Sequence, residues 1–173
     1  MGHYDWTQTF HQLWDKAVAA YAAGNRQPAT YFNPDETGFL ASIGCSAQEM
    51  YDFAEDAPEL SYDLALLINA ARRDFFLVVQ HGQPSGRVIP VSDFPPKDAE
   101  VAGFAWLPRL ILKARCKLRG ELPAELMYGC GGDRRFLKKV NIDPSDFLRV
   151  VWAAREDDHK IIEYVKQCSC QSV

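Results

Sequence analysis

Apolar residues recur at helical spacing along most of the chain, and the polar residues between these runs are typical of helix starts. Amphipathic runs over about Trp6 to Ala23 and about Pro108 to Arg119 predict two longer helices. Ser46-Ala-Gln-Glu49 has the spacing of a capping box, and Asp143-Pro-Ser-Asp146 places a proline at the first helical position. Both tetrapeptides therefore predict the start of a further helix.

A shift of the sequence by 97 residues brings these signals into register and predicts an internal repeat. The shift aligns Leu13 with Leu110, Lys16 with Lys113, Tyr31 with Tyr128, and Phe39-Leu40 with Phe136-Leu137. Each copy is predicted to hold four helices, at about 6–23, 38–43, 50–55 and 61–73, and at about 108–119, 135–140, 147–155 and 157–167. The predicted fold class is mainly α, with two related small helical units.

The stretch between the two units has the pattern of a β-hairpin. Residues 74–80 and 87–91 are β-branched and aromatic runs, separated by the turn cluster Gln83-Pro-Ser-Gly86. Pro90 confines its strand to a sheet edge. The predicted organisation is a first helical unit over 1–74, a hairpin and proline-rich connector over 75–105, a second helical unit over 106–167, and a flexible tail over 168–173.

The composition is typical of a folded protein, and the net charge restricts the classes of binding partner. Hydrophobic residues make up 47% and charged residues 24% of the 173 residues, which excludes disorder. The net charge of −4 argues against nucleic acid as a partner. The start of the chain lacks the pattern of a secretory signal, and no apolar window approaches the ~20 residues of a membrane span.

Five cysteines, an odd number, are scattered along the chain. This usage predicts reduced thiols and a cytoplasmic protein. Cys168-Ser169-Cys170 could chelate a soft metal, but no His or Cys pair has metal-ligand spacing. We therefore expect no metal and no cofactor.

Basic residues are concentrated in the second unit. Residues 109–139 contain nine Lys and Arg against three Asp and Glu, and only Lys16 is basic among the nine aligned positions of the first unit. Arg109, Lys113 and Lys117 recur every four residues and predict one stripe on their helix. The stripe either solubilises an exposed face or binds an anionic small molecule or an acidic protein.

The segment 127–136 places three glycines around Cys130, immediately before a predicted helix. Three interpretations remain open. The segment is a structural loop with Asp133 as N-cap. It is an anion site, in which glycine amides, Arg134 and Arg135 hold a phosphate or carboxylate. Or the same surroundings make Cys130 a reactive thiolate.

Four short motifs of the second unit recur together in a known family. They are Trp106-Leu-Pro-Arg-Leu-Ile-Leu-Lys-Ala-Arg-Cys-Lys-Leu-Arg-Gly120, Tyr128-Gly-Cys130, Asp133-Arg-Arg-Phe-Leu137 and Ile142-Asp-Pro-Ser-Asp-Phe-Leu148. Over about residues 106–165 the chain resembles the bacterial domain-of-unknown-function family numbered five thousand and sixty-nine. The resemblance implies a small, mostly helical domain and no particular activity. The motif positions carried over are Arg109, Lys113, Tyr128, Cys130, Asp133, Arg134 and Arg135.

The sequence thus predicts a binding module for an anionic small molecule or an acidic partner at the loop before the helix. The candidate ligand-binding residues are Arg109, Lys113, Tyr128, Gly131, Gly132, Asp133, Arg134 and Arg135. Two alternatives remain: a thiol-dependent enzyme with Cys130 as its catalytic residue, and a structural protein that forms a homodimer.

Overall fold

The computed structural model describes residues 3–170 and confirms the mainly helical fold class. The described residues contain eight α-helices and one short antiparallel hairpin. The chain divides after Pro84 into two compact units. Within residues 3–170, no helix is both long enough and apolar enough to cross a membrane.

The first unit contains four helices in the predicted order. They are α1 (Trp6–Ala22), α2 (Pro34–Ser42), α3 (Ala47–Glu55) and α4 (Tyr62–Val78). Helix α1 packs against α3 and α4 and buries Phe10 and Trp14. The predicted capping box of α3 is confirmed, because the Ser46 hydroxyl accepts from the Glu49 amide at 3.1 Å and the Ser46 amide donates to the Glu49 carboxylate at 2.8 Å.

In the second unit a short hairpin precedes four helices. Its elements are β1 (Glu100–Val101), β2 (Phe104–Ala105), α5 (Leu107–Arg119), α6 (Gly131–Lys139), α7 (Pro144–Ala154) and α8 (Asp158–Cys170). Helix α7 packs against α5, α6 and α8, and its Phe147 and Leu148 are fully buried. Asp143 caps α7 by accepting from the Ser145 amide at 2.7 Å, with Pro144 as the first helical residue.

Helix boundaries in the two units follow the predicted offset. Helices α6 and α7 begin 97 residues after α2 and α3, and α5 ends 97 residues after α1. Aligned apolar positions are buried in both units, as at Leu13 and Leu110 or Met50 and Phe147. The internal repeat itself stays a prediction, since matched boundaries are also what two independent four-helix units of equal lengths would show.

The hairpin predicted from 74–80 and 87–91 is wrong in its position. Residues 74–78 continue α4, which has no Gly or Pro to stop it before Gly82. Phe76 lies four residues after buried Arg72 and is itself buried, so helical packing overrides the strand propensity of this run. Short apolar runs do not by themselves distinguish a buried helix segment from a strand.

Residues 87–91 form an extended segment that packs on α5. The Ile89 amide donates to the Glu121 carbonyl at 3.0 Å, and Ile89 and Phe94 are buried against Cys116. The observed hairpin follows this segment and turns at Ala102 and Gly103, which both have positive φ.

Helix α8 extends further than predicted. It runs through Cys170, so the first three residues of the predicted tail over 168–173 are helical. Residues 171–173 lie outside the described residues.

Candidate functional site

Helix α6 begins earlier than its sequence pattern predicts. The predicted start is about residue 135, whereas the helix starts at Gly131 with Cys130 as its N-cap. Asp133 is therefore the third helical residue, and its predicted role as N-cap is wrong. Gly131 and Gly132 lie inside the first turn, and among the three glycines only Gly129 has a positive φ, of 85°.

The Asp133 carboxylate lies at the centre of a buried hydrogen-bond network. It is 0% exposed and accepts from three donors: Lys113 Nζ at 2.5 Å, Trp106 Nε1 at 2.9 Å and the Gly129 amide at 2.9 Å. A buried carboxylate is tolerated only when charge and hydrogen bonds compensate its lost hydration. The network therefore ties α6 and the preceding loop to both the start and the middle of α5.

Lys113 also reaches the thiol of Cys130. Its ammonium lies 3.3 Å from Cys130 Sγ and donates to it, while the lysine side chain as a whole is only 3% exposed. Cys130 as a whole residue is half-buried. A cation and a helix N-terminus therefore both lie beside this sulfur.

Trp106 also belongs to the site, although the sequence pattern did not identify it as a candidate site residue. Its backbone is left-handed, with φ of 77°, and its indole ring covers Gly132 so closely that a Cβ there would lie 2.5 Å from the ring. A non-glycine residue keeps such a backbone only where its surroundings hold it. Here the bond from its indole to Asp133 does so. The position of Trp106 in the motif was visible, but its contact across 27 residues was not.

The four remaining predicted ligand residues bind backbone carbonyls instead of converging on one point. Arg134 donates to the Gly129 carbonyl at 2.7 Å, Arg135 to the Gly131 carbonyl at 3.3 Å, Arg109 to the Pro95 carbonyl at 2.8 Å, and Tyr128 to the Pro144 carbonyl at 2.7 Å. Complete burial raises the pKa of Tyr128 well above 10. Of the predicted set, the structure brings together Lys113, Cys130 and Asp133.

The basic stripe of α5 does not form an exposed surface. Lys113 and Lys117 are each only 2% exposed, and Arg109 is half-buried. The reason is that this face of α5 packs inward, where Lys113 meets the carboxylate of Asp133. The hypothesis of a solvated or partner-binding stripe is therefore wrong for these lysines.

The first unit provides an internal reference for the site. Lys16 and Glu36 form an ion pair at 2.6 Å at the positions aligned with Lys113 and Asp133. At the position aligned with Cys130, Asn33 caps α2 by accepting from the Glu36 amide at 2.9 Å. The ion pair is thus common to both units, whereas a cysteine occupies the N-cap position only in the second.

None of the described residues forms a cluster that could hold a metal ion. The five cysteines, all within residues 3–170, form no disulfide.

Separate and combined substitutions test the energetic coupling of Lys113 and Asp133. Lys113→Met or Asp133→Asn alone should lower the free energy of unfolding by about 3–5 kcal/mol, because each leaves one buried charge without its partner. The double variant should lose clearly less than the sum of the two, as measured by urea unfolding. Additive losses would show that the two side chains are not energetically coupled.

Adjacent glycines provide a matched test of the Trp106 contact. Gly132→Ala should lower the free energy of unfolding by about 1–3 kcal/mol or more, because the new methyl group meets the indole ring. In Gly131→Ala the methyl group has only an ordinary contact with Arg134, so stability should stay within about 0.5 kcal/mol or rise. Thermal unfolding of both variants measures the difference, and equal effects would contradict the packing.

Comparison with known families agrees with the motifs of the second unit. Residues 92–172 match the family described as Domain of unknown function (DUF5069). The match confirms the resemblance inferred from the four motifs. No curated protein and no solved structure matches the chain. The part of the chain that is similar to the DUF5069 domain family is therefore residues 92–172.

Proposed function

We propose that the second unit is a thiol-dependent enzyme in which Cys130 is the nucleophile. The observation that carries this proposal is the 3.3 Å contact between Lys113 Nζ and Cys130 Sγ at the first turn of α6. The ammonium and the N-terminus of the helix both place positive charge beside the sulfur, and the residue keeps part of its surface exposed.

The choice of N-cap residue supports this proposal. Cys130 and Asn33 have nearly the same backbone conformation, with φ and ψ of −60° and 167° against −74° and 171°. In that conformation Asn33 caps its helix with its side chain. The side chain of Cys130 makes no cap hydrogen bond to any of the described residues. An N-cap bond stabilises a protein by about 1 kcal/mol. A cysteine at this position gives up that stabilisation, and a chemical role of its thiol explains why.

An anionic group is the expected feature of the substrate. The first-turn amides of α6 have no partners within the helix and carry its partial positive charge. Arg135 is exposed and holds its carbonyl partner at 3.3 Å, so it can turn to a substrate at small cost. The binding of an anionic small molecule thus becomes part of the proposed enzyme. The predicted cytoplasmic location fits as well, because the thiol must stay reduced.

Two functions predicted from the sequence have less support. An acidic protein partner loses the two lysines of the α5 stripe, which are buried, and keeps exposed Arg135, Lys138 and Lys139 of α6. A dimerisation role has no specific observation in its favour. The thiol function is the one that the contacts of Cys130 favour.

Alkylation with iodoacetamide at neutral pH tests the nucleophile. Cys130 should react at least several-fold faster than exposed Cys170, as read by peptide mass spectrometry over time. Cys116 provides an inert reference, because burial raises its pKa to about 11. The Lys113→Met/Asp133→Asn double variant should lose the advantage of Cys130, since it removes the cation without leaving an unpaired charge.

Lys138→Met is the matched control for that variant, because it also removes one positive charge but from an exposed position on α6. It should leave the alkylation rate of Cys130 near that of the original protein. A Cys130 that reacts no faster than Cys170 would refute the proposed nucleophile.

Cys130→Asn tests whether stability has been given up at this position. The asparagine should restore the cap seen at Asn33 and raise the free energy of unfolding by about 1 kcal/mol. Cys130→Ala, which supplies no cap, should show no such gain in the same urea titration. Equal stabilities of the two variants would remove the argument from the N-cap.

A further inference from the structure

Lys113 and Cys130 form a pair of a nitrogen and a sulfur that an oxidant can join. We propose that a hydroperoxide oxidises Cys130 and that the oxidised sulfur then bonds to Lys113 Nζ, giving a reversible sulfur–nitrogen cross-link between α5 and the N-cap of α6. This inference rests on the proposed nucleophilic thiol and adds a covalent modification site to it.

The positions of the two atoms support the proposal. Lys113 Nζ and Cys130 Sγ are 3.3 Å apart, and the lysine is held in place by its ion pair with buried Asp133. Cys130 is half-buried, which admits a molecule as small as hydrogen peroxide from the solvent side.

The first step is a two-electron oxidation of the thiol. The Cys130 thiolate attacks one peroxide oxygen, a sulfur–oxygen bond forms and the oxygen–oxygen bond breaks. The sulfur becomes a sulfenic acid, and the peroxide is reduced to hydroxide, which takes a proton to become water. A sulfenic acid can condense with a nearby nitrogen to form a sulfenamide.

The second step uses the ion pair. The ammonium of Lys113 passes one proton to the Asp133 carboxylate, which already accepts from it at 2.5 Å. The neutral amine attacks the sulfur, the nitrogen–sulfur bond forms and the sulfur–oxygen bond breaks. The hydroxyl group leaves with the second proton of the nitrogen as water. The protonated Asp133 and the cross-link then replace the ion pair without any net change in charge.

The first unit shows which part of this arrangement is special. Lys16 and Glu36 form the corresponding ion pair, but the N-cap there is Asn33. Its side-chain amide has no thiol for hydrogen peroxide to oxidise. The ion pair of a lysine and a carboxylate is therefore present in both units. The cross-link requires the cysteine in addition.

The test uses the full chain in a Cys168→Ser/Cys170→Ser background, because a disulfide would give the same mass change. After a few equivalents of hydrogen peroxide, the intact protein should become about 2 Da lighter by loss of two hydrogens. Trypsin should no longer cleave after Lys113, and one linked peptide should contain both Lys113 and Cys130. Dithiothreitol should reverse the change, and added Cys130→Ser should abolish it.

Lys113→Arg keeps the positive charge but removes the nucleophilic amine. In this variant Cys130 should still be oxidised, and dimedone should trap it as a sulfenic acid, whereas the original lysine should outcompete dimedone. If Lys113→Arg does not fold, dimedone competition in the protein with Lys113 gives the same information: near-complete trapping of Cys130 overturns the cross-link.

Alkylation separates this inference from the function on which it rests. Fast alkylation of Cys130 together with stable sulfenic acid, or with progression to sulfinic acid, overturns the cross-link and leaves the nucleophile standing. A Cys130 that is inert to both iodoacetamide and peroxide overturns both.

Discussion

The buried carboxylate of Asp133 is the constraint on which the rest of the site depends. A carboxylate with no solvent contact requires a cation and further donors, and the second unit supplies them from three parts of the chain. Meeting that requirement draws Lys113 inward, holds the Trp106 backbone in a left-handed conformation and fixes the loop at Gly129. The position of Cys130 follows, because it lies between Gly129 and the first turn of α6. The cysteine is placed by its neighbours and makes no cap of its own.

The two units place different residues at the N-cap of the second helix, Asn33 in the first and Cys130 in the second. Both place a lysine opposite an acidic residue in the first turn of the second helix. In the first unit the pair is partly exposed, since the Lys16 side chain is 44% exposed against 3% for Lys113. Burial reduces screening by water, so the ammonium of Lys113 acts more strongly on what it touches. Only in the second unit does a buried ion pair of this kind lie beside a cysteine at the N-cap.

The helix starts show what local chemistry determines. Ser46 and Asp143 act as caps where their side chains predict them, because capping depends on residues two or three positions apart. The apolar run at 74–80 was interpreted as a strand and is mainly helix, because helix α4 has no stop before it and Phe76 lies on the buried face. The true hairpin escaped notice because Ala102 stands in its turn, where asparagine or aspartate would have marked it.

The sequence by itself determined the mainly helical class, the order of eight helices, the family that the second unit resembles and the segment around Cys130. These depend on local spacing and on short motifs, which are legible in one dimension. Only the tertiary structure decided that Arg134 and Arg135 bind backbone carbonyls, that the lysines of α5 point inward, and that Trp106 packs on Gly132. The reason is physical. Whether a charged side chain binds a ligand or stabilises the fold depends on its burial and on partners that are distant in sequence, and no local pattern encodes either.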